Sequence, residues 1–300
     1  PERRVGASIT ATGRRHLITV VLDLISQFAQ VLVFGLINGS VIAVGAVGLT
    51  LSYGVTRFIN FAYGEFLTYG AFLAFLVATV GGAPVYVATI VAMDGVGVMG
   101  VVIARIFFKP IRERGPLPLL ITSIGVAFLL RNLMRGVAGT DPQSLPVPLI
   151  RPISIGGVQI SPVGIAVFVV SMLAMGAIHL LLTRTMLGRK MRATSGNRQL
   201  ARVSGIDTDS VIRRTWFVAS AAGGLAGVLL AVQFPPFRPI TGWRFLLVVF
   251  AATILGGIGK PYGAMAGALI VGLAMSLGSF YVSGSYTLAY AFAILVAVLL

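Results

Sequence analysis

Arg184-Thr-Met-Leu-Gly-Arg-Lys-Met-Arg-Ala-Thr-Ser-Gly-Asn-Arg-Gln-Leu-Ala-Arg-Val-Ser-Gly-Ile-Asp-Thr-Asp-Ser-Val-Ile-Arg-Arg214 is a polar, helix-capable island between two charge-free runs, residues 152–183 and 215–237. It holds eight of the chain's 23 Lys and Arg residues and two of its eight acids. Apolar runs long enough to cross a bilayer, joined by a basic loop, point to membrane spans. The rest of the chain repeats the pattern. It is 57% hydrophobic and 10% charged, whereas about 25% of residues are charged in soluble domains, and its mean hydropathy is +0.97. Thirty-seven glycines fit close helix packing in lipid. There is no cysteine, hence no disulfide framework and no thiol chemistry.

A span needs about 20 apolar residues. Residues 17–56, interrupted only by Asp23, are expected to form two spans with a break near Asn38-Gly39-Ser40. Thr56–Glu65 reads as a short polar turn or re-entrant segment facing protein or water. Residues 66–104 give two more spans, split near Gly81-Gly82-Ala83-Pro84. A polar, proline-broken loop over Lys109–Pro118 leads to a fifth span at about 119–135. Residues 136–162, with five prolines, read as a long external loop. Further spans are expected at about 163–183, 214–233 and 243–258, with two in 261–300 broken near Ser283-Gly284. The fold class is therefore all-α: a polytopic membrane helix bundle with about 8–10 transmembrane segments.

With even numbers of spans between them, residues 1–16, the turn at 56–65, the loop at 105–114, the island and Lys260 share one side, carrying eighteen basic residues. Arg131, Arg135, Arg151, Arg238 and Arg244 make five on the other. The positive-inside rule then places the amino terminus in the cytoplasm. It also accounts for the net charge of +15, so no nucleic-acid partner is invoked. Residues 1–16 read as a cytoplasmic tail leading into an uncleaved anchor, residues 17–300 as one transmembrane domain, and both ends as trimmed.

The residues argue against catalysis. Asp94-Gly-Val-Gly-Val-Met-Gly100 matches GxGxxG but lies inside an apolar span, where helix packing explains its glycines. No GxxxxGK[ST] occurs, since only Lys260 follows a glycine and Pro261 comes next. His16 and His179 are too far apart in sequence to suggest a metal cluster. No GxSxG and no pair of acids within one span is present. Gly35 with Gly39, and Gly263 with Gly267, are GxxxG packing pairs. Asn38, Asn60, Tyr63 and Glu65 are candidate pathway groups, because polar side chains at depth often line a route. Asp23 and Asp94 fit either a pathway or a water-facing position.

Asn38-Gly-Ser, Gly48-Leu-Thr-Leu-Ser-Tyr-Gly54 and Ile59-Asn-Phe-Ala-Tyr-Gly-Glu65 resemble the first third of a permease from the branched-chain amino-acid ABC importers. Arg105 to Arg112, Arg192-Ala193, Ala201, Gly205-Ile206-Asp-Thr-Asp209, Leu225-Ala-Gly-Val-Leu229, Leu255-Gly-Gly-Ile-Gly259 and Gly263-Ala264 continue the resemblance in order over about residues 31–299. The Asn-Phe-Ala-x-Gly-Glu form is similar to the first of the two permeases in these importers. The resemblance implies a multi-pass transport subunit of a prokaryotic plasma (inner) membrane with no catalytic residues or cofactor of its own. The implied partners are a second permease, two cytoplasmic ATPase subunits carrying ATP and Mg, an extracytoplasmic solute-binding protein and membrane lipid. Permeases for urea or short amides carry a similar motif and are the alternative, as is an ATP-independent channel in another class. The family usually has His where Tyr63 stands and an acid where Gly196 stands.

The resemblance makes residues 184–214 the ATPase-coupling loop, with Ala193, Leu200, Ala201, Gly205 and Ile206 as contacts. Local chemistry agrees with a rigid docking helix there. Ser195 is expected to cap a helix running to Arg202–Ser204, Gly205 fits the left-handed position after it, and Ile206 supplies the apolar contact beyond. Leu200 and Val203 lie one turn apart on a small apolar face. Asp209 is expected to cap the next span.

Overall fold

The computed structural model describes residues 2–148, 150–155 and 157–300, with side chains from residue 24 onward except those of 155, 285 and 299. Helix α1 covers Glu2–Thr56, and α2 (Tyr63–Phe75) continues through a π turn at Leu76–Val80. Helix α3 (Val85–Ile103) likewise ends in a π turn, Ala104–Phe108, and is followed by α4 (Pro116–Ala138). A short antiparallel hairpin, β1 (Ile153–Ile155) and β2 (Val158–Ile160), pairs Ile153 with Ile160. Then come α5 (Pro162–Arg184), α6 (Met186–Gly196), α7 (Arg198–Val203), α8 (Thr208–Gln233), α9 (Thr241–Gly256), α10 (Pro261–Tyr281) and α11 (Thr287–Leu299). Seven of the described helices are long and apolar enough to cross a membrane, and two shorter apolar helices accompany them. The chain is a polytopic helical membrane protein.

Residues 17–56 do not break at Asn38-Gly39-Ser40. Helix α1 passes through unbroken, with the Ser40 hydroxyl donating to the Ile37 carbonyl at 2.7 Å. The glycine serves packing instead of a turn. A Cβ on Gly272 of α10 would lie 2.3 Å from the Gly39 Cα, and one on Gly39 would lie 3.0 Å from the Leu269 Cα. The polar triplet is a notch for α10, consistent with the packing role expected of Gly35 and Gly39.

This changes the parity of the crossings. Toward one end of the bundle, Gln30 exchanges hydrogen bonds of 2.6 Å with the Gln159 backbone in the hairpin. Past the other end, Arg57 donates to the Ser195 carbonyl in the island. Described α1 thus crosses once between them, which removes the even crossing number used to place residues 1–16 in the cytoplasm. From Arg57 onward, fourteen basic residues still belong to the loops at the island end.

Helix α8 occupies the centre, with most of its residues buried from Val211 to Ala231. Its small residues admit α3. A Cβ on Gly97 would meet the Phe217 ring at 2.8 Å, and one on Gly100 the Ser220 hydroxyl at 1.9 Å. The GxGxxG match is thus a helix contact. Gly263 and Gly267 serve α9 in the same way, since a Cβ on Gly263 would lie 1.9 Å from the Gly256 carbonyl oxygen. Helix α9 has 16 residues, about 24 Å of rise, short of the hydrocarbon thickness of about 30 Å. The segment before it re-enters the bundle: Phe237 is buried against Phe72 and Phe75, at centroid distances of 5.0 and 6.2 Å. Its N–H and C=O both bond Gln143 at 2.9 Å. Irregular backbone at depth is tolerated when protein covers it in this way.

Candidate functional site

Two sites emerge, one inside the bundle and one at its island end. The inner site starts from Phe58–Ala62, which enters the bundle as the sequence suggested. Phe58, Asn60 and Ala62 are buried. The Asn60 Oδ1 accepts from the Ala62 N–H at 3.0 Å and the Phe61 N–H donates to the Ser123 hydroxyl at 3.1 Å. Satisfying these amides lets α2 begin within the protein, with Glu65 in its first turn, where the helix dipole favours an anion.

Glu65 is 0% exposed. Its Oε1 accepts from the Arg131 Nε at 3.0 Å and Nη2 at 2.6 Å, a charge-assisted pair in low dielectric. Arg131 lies fifteen residues after Pro116 on α4, about 22 Å of rise into the bundle. Its guanidinium sits 4.3 Å from the Trp243 ring centroid and 5.5 Å from that of Phe128. Phe61 adjoins Trp243 at 6.2 Å and Phe250 at 5.3 Å. Three helices and the re-entrant segment thus build an ion pair walled by rings, with cation–π attraction helping to hold the cation. Among the described residues the second Glu65 oxygen, Oε2, and the Asn60 Nδ2 are buried without a hydrogen-bond partner.

The other sequence candidates fall elsewhere. Tyr63 is buried between α1 and α8, its hydroxyl donating to the Ala219 carbonyl at 3.4 Å. A Cβ on Gly48 would strike that hydroxyl and one on Gly223 the ring, so Tyr63 fills a helix junction. Asn38 is half-buried, reaching Ser276 at 3.4 Å and Gln233 at 3.5 Å. Asp94 is exposed on α3 beside an apolar cleft of about 200 Å³, and the Asp23 side chain lies outside the described residues.

Sequence reasoning missed Arg131 and Trp243. Arg131 carried a signal, being a cation twelve residues inside an expected span starting at 119. Counting it as external charge hid that. Trp243 carried no such signal, because its role comes from the re-entry of the chain before α9.

The island folds into α6 and α7. Thr185 caps α6, accepting from the Gly188 N–H at 3.1 Å. The cap of α7 is Asn197, accepting from the Leu200 N–H at 3.0 Å, where Ser195 was expected. Helix α6 runs on to Gly196 with Met191 and Thr194 buried, so Ser195 stays helical. Gly205 ends α7 at φ 79°, as its sequence position suggested. The Ile206 N–H donates to the Ala201 carbonyl and the Gly205 N–H to the Arg202 carbonyl, both at 3.0 Å. That is a Schellman cap.

Ala201 is buried and Ile206 packs against the core, while Ala193 is exposed. Leu200 and Val203 point outward, 64% and 87% exposed. Gly196 is open to solvent, with nothing in reach of a Cβ.

The cap of α8 is Asp207, accepting from the Asp209 and Ser210 N–H groups at 3.1 and 3.0 Å, where Asp209 was expected. Asp209 instead gathers arginines: Arg112 at 2.7 Å, Arg198 at 3.3 Å and Arg202 at 3.5 Å. The hub ties the loop before α4 to α7 and α8. Burial, with Arg112 and Arg202 close by, lowers the Arg198 guanidinium from its ordinary range. One carboxylate among three guanidiniums leaves surplus positive charge at this surface.

The profile of the family described as branched-chain amino acid transport system / permease component matches residues 31–299. A high-affinity branched-chain amino acid transport system permease protein of Pseudomonas aeruginosa, BraD, is 32% identical over 92% of this chain and 94% of its own length. LivH of Escherichia coli K12, of the same description, is 32% identical over 91% and 93%. A probable branched-chain amino acid transport permease protein of Methanocaldococcus jannaschii is 28% identical over 84% and 81%. With the helical bundle, these likenesses identify a multi-pass membrane transport subunit: the chain belongs to the branched-chain amino acid transport system / permease component family.

Proposed function

We propose that this chain is the permease half of an ATP-driven importer for branched-chain or related amino acids, working by alternating access. It pairs with a second permease, receives solute from an extracytoplasmic binding protein, and is driven by two cytoplasmic ATPases that hold ATP and Mg. The observation that carries the coupling role is α7, closed at both ends by caps and tied to α8 and to the loop before α4 through Asp209, yet presenting Leu200 and Val203 to solvent. A rigid element that fastens two parts of the bundle while exposing an apolar face suits rigid-body coupling between subunits. The surplus guanidinium charge around it suits an acidic rim on the ATPase. On this reading the island end is cytoplasmic, in accord with its basic residues.

The solute class draws on the inner site and on the relatives' names. A zwitterionic amino acid matches adjacent charges of opposite sign, Glu65 and Arg131, walled by Trp243 and Phe61. An uncharged amide needs neither charge, so the site favours amino acids over urea. Glu65, Asn60 and Arg131 are the pathway or gate groups of this proposal.

Leu200→Asp with Val203→Asp tests the docking face. Two exposed anchors are removed, so the bundle should keep its stability while ATPase affinity falls by at least about tenfold. The measurement is the amount of ATPase retained with the permease in mild detergent. Unchanged retention contradicts the docking assignment.

A further inference from the structure

A cavity of about 170 Å³ lies at the island end between α3, α4 and α8, beside the arginine hub, with which it shares Arg112 and Asp209. Its depth is apolar. Phe108 stacks on Trp216 at 5.2 Å between centroids, and Phe58, Val101, Leu119 and Ile212 complete the lining. Its margin is cationic, with Arg105, Lys109, Arg112 and Arg213 against the single acid Asp209. Asp209 is already engaged by Arg112, Arg198 and Arg202. Arg105, Lys109 and Arg213 are exposed, and among the described residues none of them has an ion-pair partner. The Arg112 Nε is buried and also unpaired. Local structure opens the cavity: the π turn Ala104–Phe108 widens the helix where Arg105 and Phe108 leave α3, and such turns are frequent at functional sites.

We infer that this cavity binds an anionic phospholipid, its phosphate held by Arg105, Lys109 and Arg213 and its glycerol and first methylenes lying on the Phe108–Trp216 stack. The direction of the acyl chain follows from α3. Val98, Val102 and Ile106 recur every four residues and are 56%, 47% and 57% exposed, an apolar stripe leading from Arg105 and Lys109 into the bilayer. An acidic side chain from a soluble partner would satisfy the cations but would leave the aromatic floor and the stripe unused. A basic margin above an apolar floor between spans is the chemistry of headgroup recognition.

The test uses the full chain purified in detergent, with native mass spectrometry after addition of phosphatidylglycerol or phosphatidylcholine. The wild type is expected to retain phosphatidylglycerol preferentially. Arg105→Gln should weaken that retention by about fivefold, and Arg105→Gln with Lys109→Gln and Arg213→Gln further, at about fivefold per cation. Lys260→Gln removes an exposed cation of the same end outside the cavity and should change nothing. The single variant keeps the test decisive if the triple variant misfolds. Equal losses in Arg105→Gln and Lys260→Gln would reduce the effect to diffuse charge and overturn the site. Inorganic phosphate displacing the lipid at low millimolar concentration would assign the cations to a soluble anion instead. If Arg105→Gln keeps its lipid but loses the ATPase, the cavity belongs to the protein partner and the inference fails.

Discussion

Arg131→Met is expected to destabilise the bundle by about 3–5 kcal/mol, because it strands the Glu65 carboxylate, at 0% exposure, without its counter-ion. Thermal unfolding in a fixed detergent reads the loss. Replacing both partners, Glu65→Leu with Arg131→Met, should recover most of it, since a buried pair exchanged for apolar side chains of similar volume is often neutral. Uptake should not recover. The double variant therefore separates two roles: a pair kept only for packing would leave a stable double variant transporting normally, which would remove Glu65 and Arg131 from the pathway. The stabilising share of the Trp243 face at 4.3 Å is smaller, about 1–2 kcal/mol, so Trp243→Leu should move stability less than the single Arg131 change.

Gly205→Val should uncouple ATP hydrolysis from uptake. The position holds φ 79°, and a β-branched residue there costs about 1–3 kcal/mol of local strain. Helix α7 is only six residues long, so losing the Ile206-to-Ala201 and Gly205-to-Arg202 bonds removes much of what closes it. Nothing lies within 4 Å of a Cβ at Gly205, so the strain stays in the cap and the bundle should assemble. Solute moved per ATP hydrolysed, in the reconstituted complex, should fall while the ATPases remain bound. Normal coupling in Gly205→Val would show that the cap carries no load.

The parts legible in the sequence are those set by near neighbours. Apolar runs and basic loops gave most spans, because crossing a bilayer imposes length and charge rules on contiguous residues. Gly205 was legible because a left-handed cap depends on one residue and its neighbours. Ser195 and Asn197 are both good caps two positions apart, and burial of Met191 and Thr194 decides between them by extending α6. Asp207 and Asp209 pose the same choice. Here the arginine hub, including Arg112 from 97 residues away, takes Asp209 and leaves Asp207 to cap. The Asn38-Gly39-Ser40 notch resembled a turn because its partner, Gly272, lies far along the chain. Glu65 stood out alone, and its meaning required Arg131, 66 residues later, and Trp243 on α9, which a re-entrant segment delivers. Pairings of that range follow from tertiary packing, and no local pattern announces them.

The most direct test of the account is labelled leucine uptake into liposomes holding this chain with its second permease and both ATPases, with the solute-binding protein outside and ATP inside. Accumulation against a gradient that needs both ATP and the binding protein is expected. Leucine equilibrating at the same rate without ATP would make the chain a passive channel and contradict it.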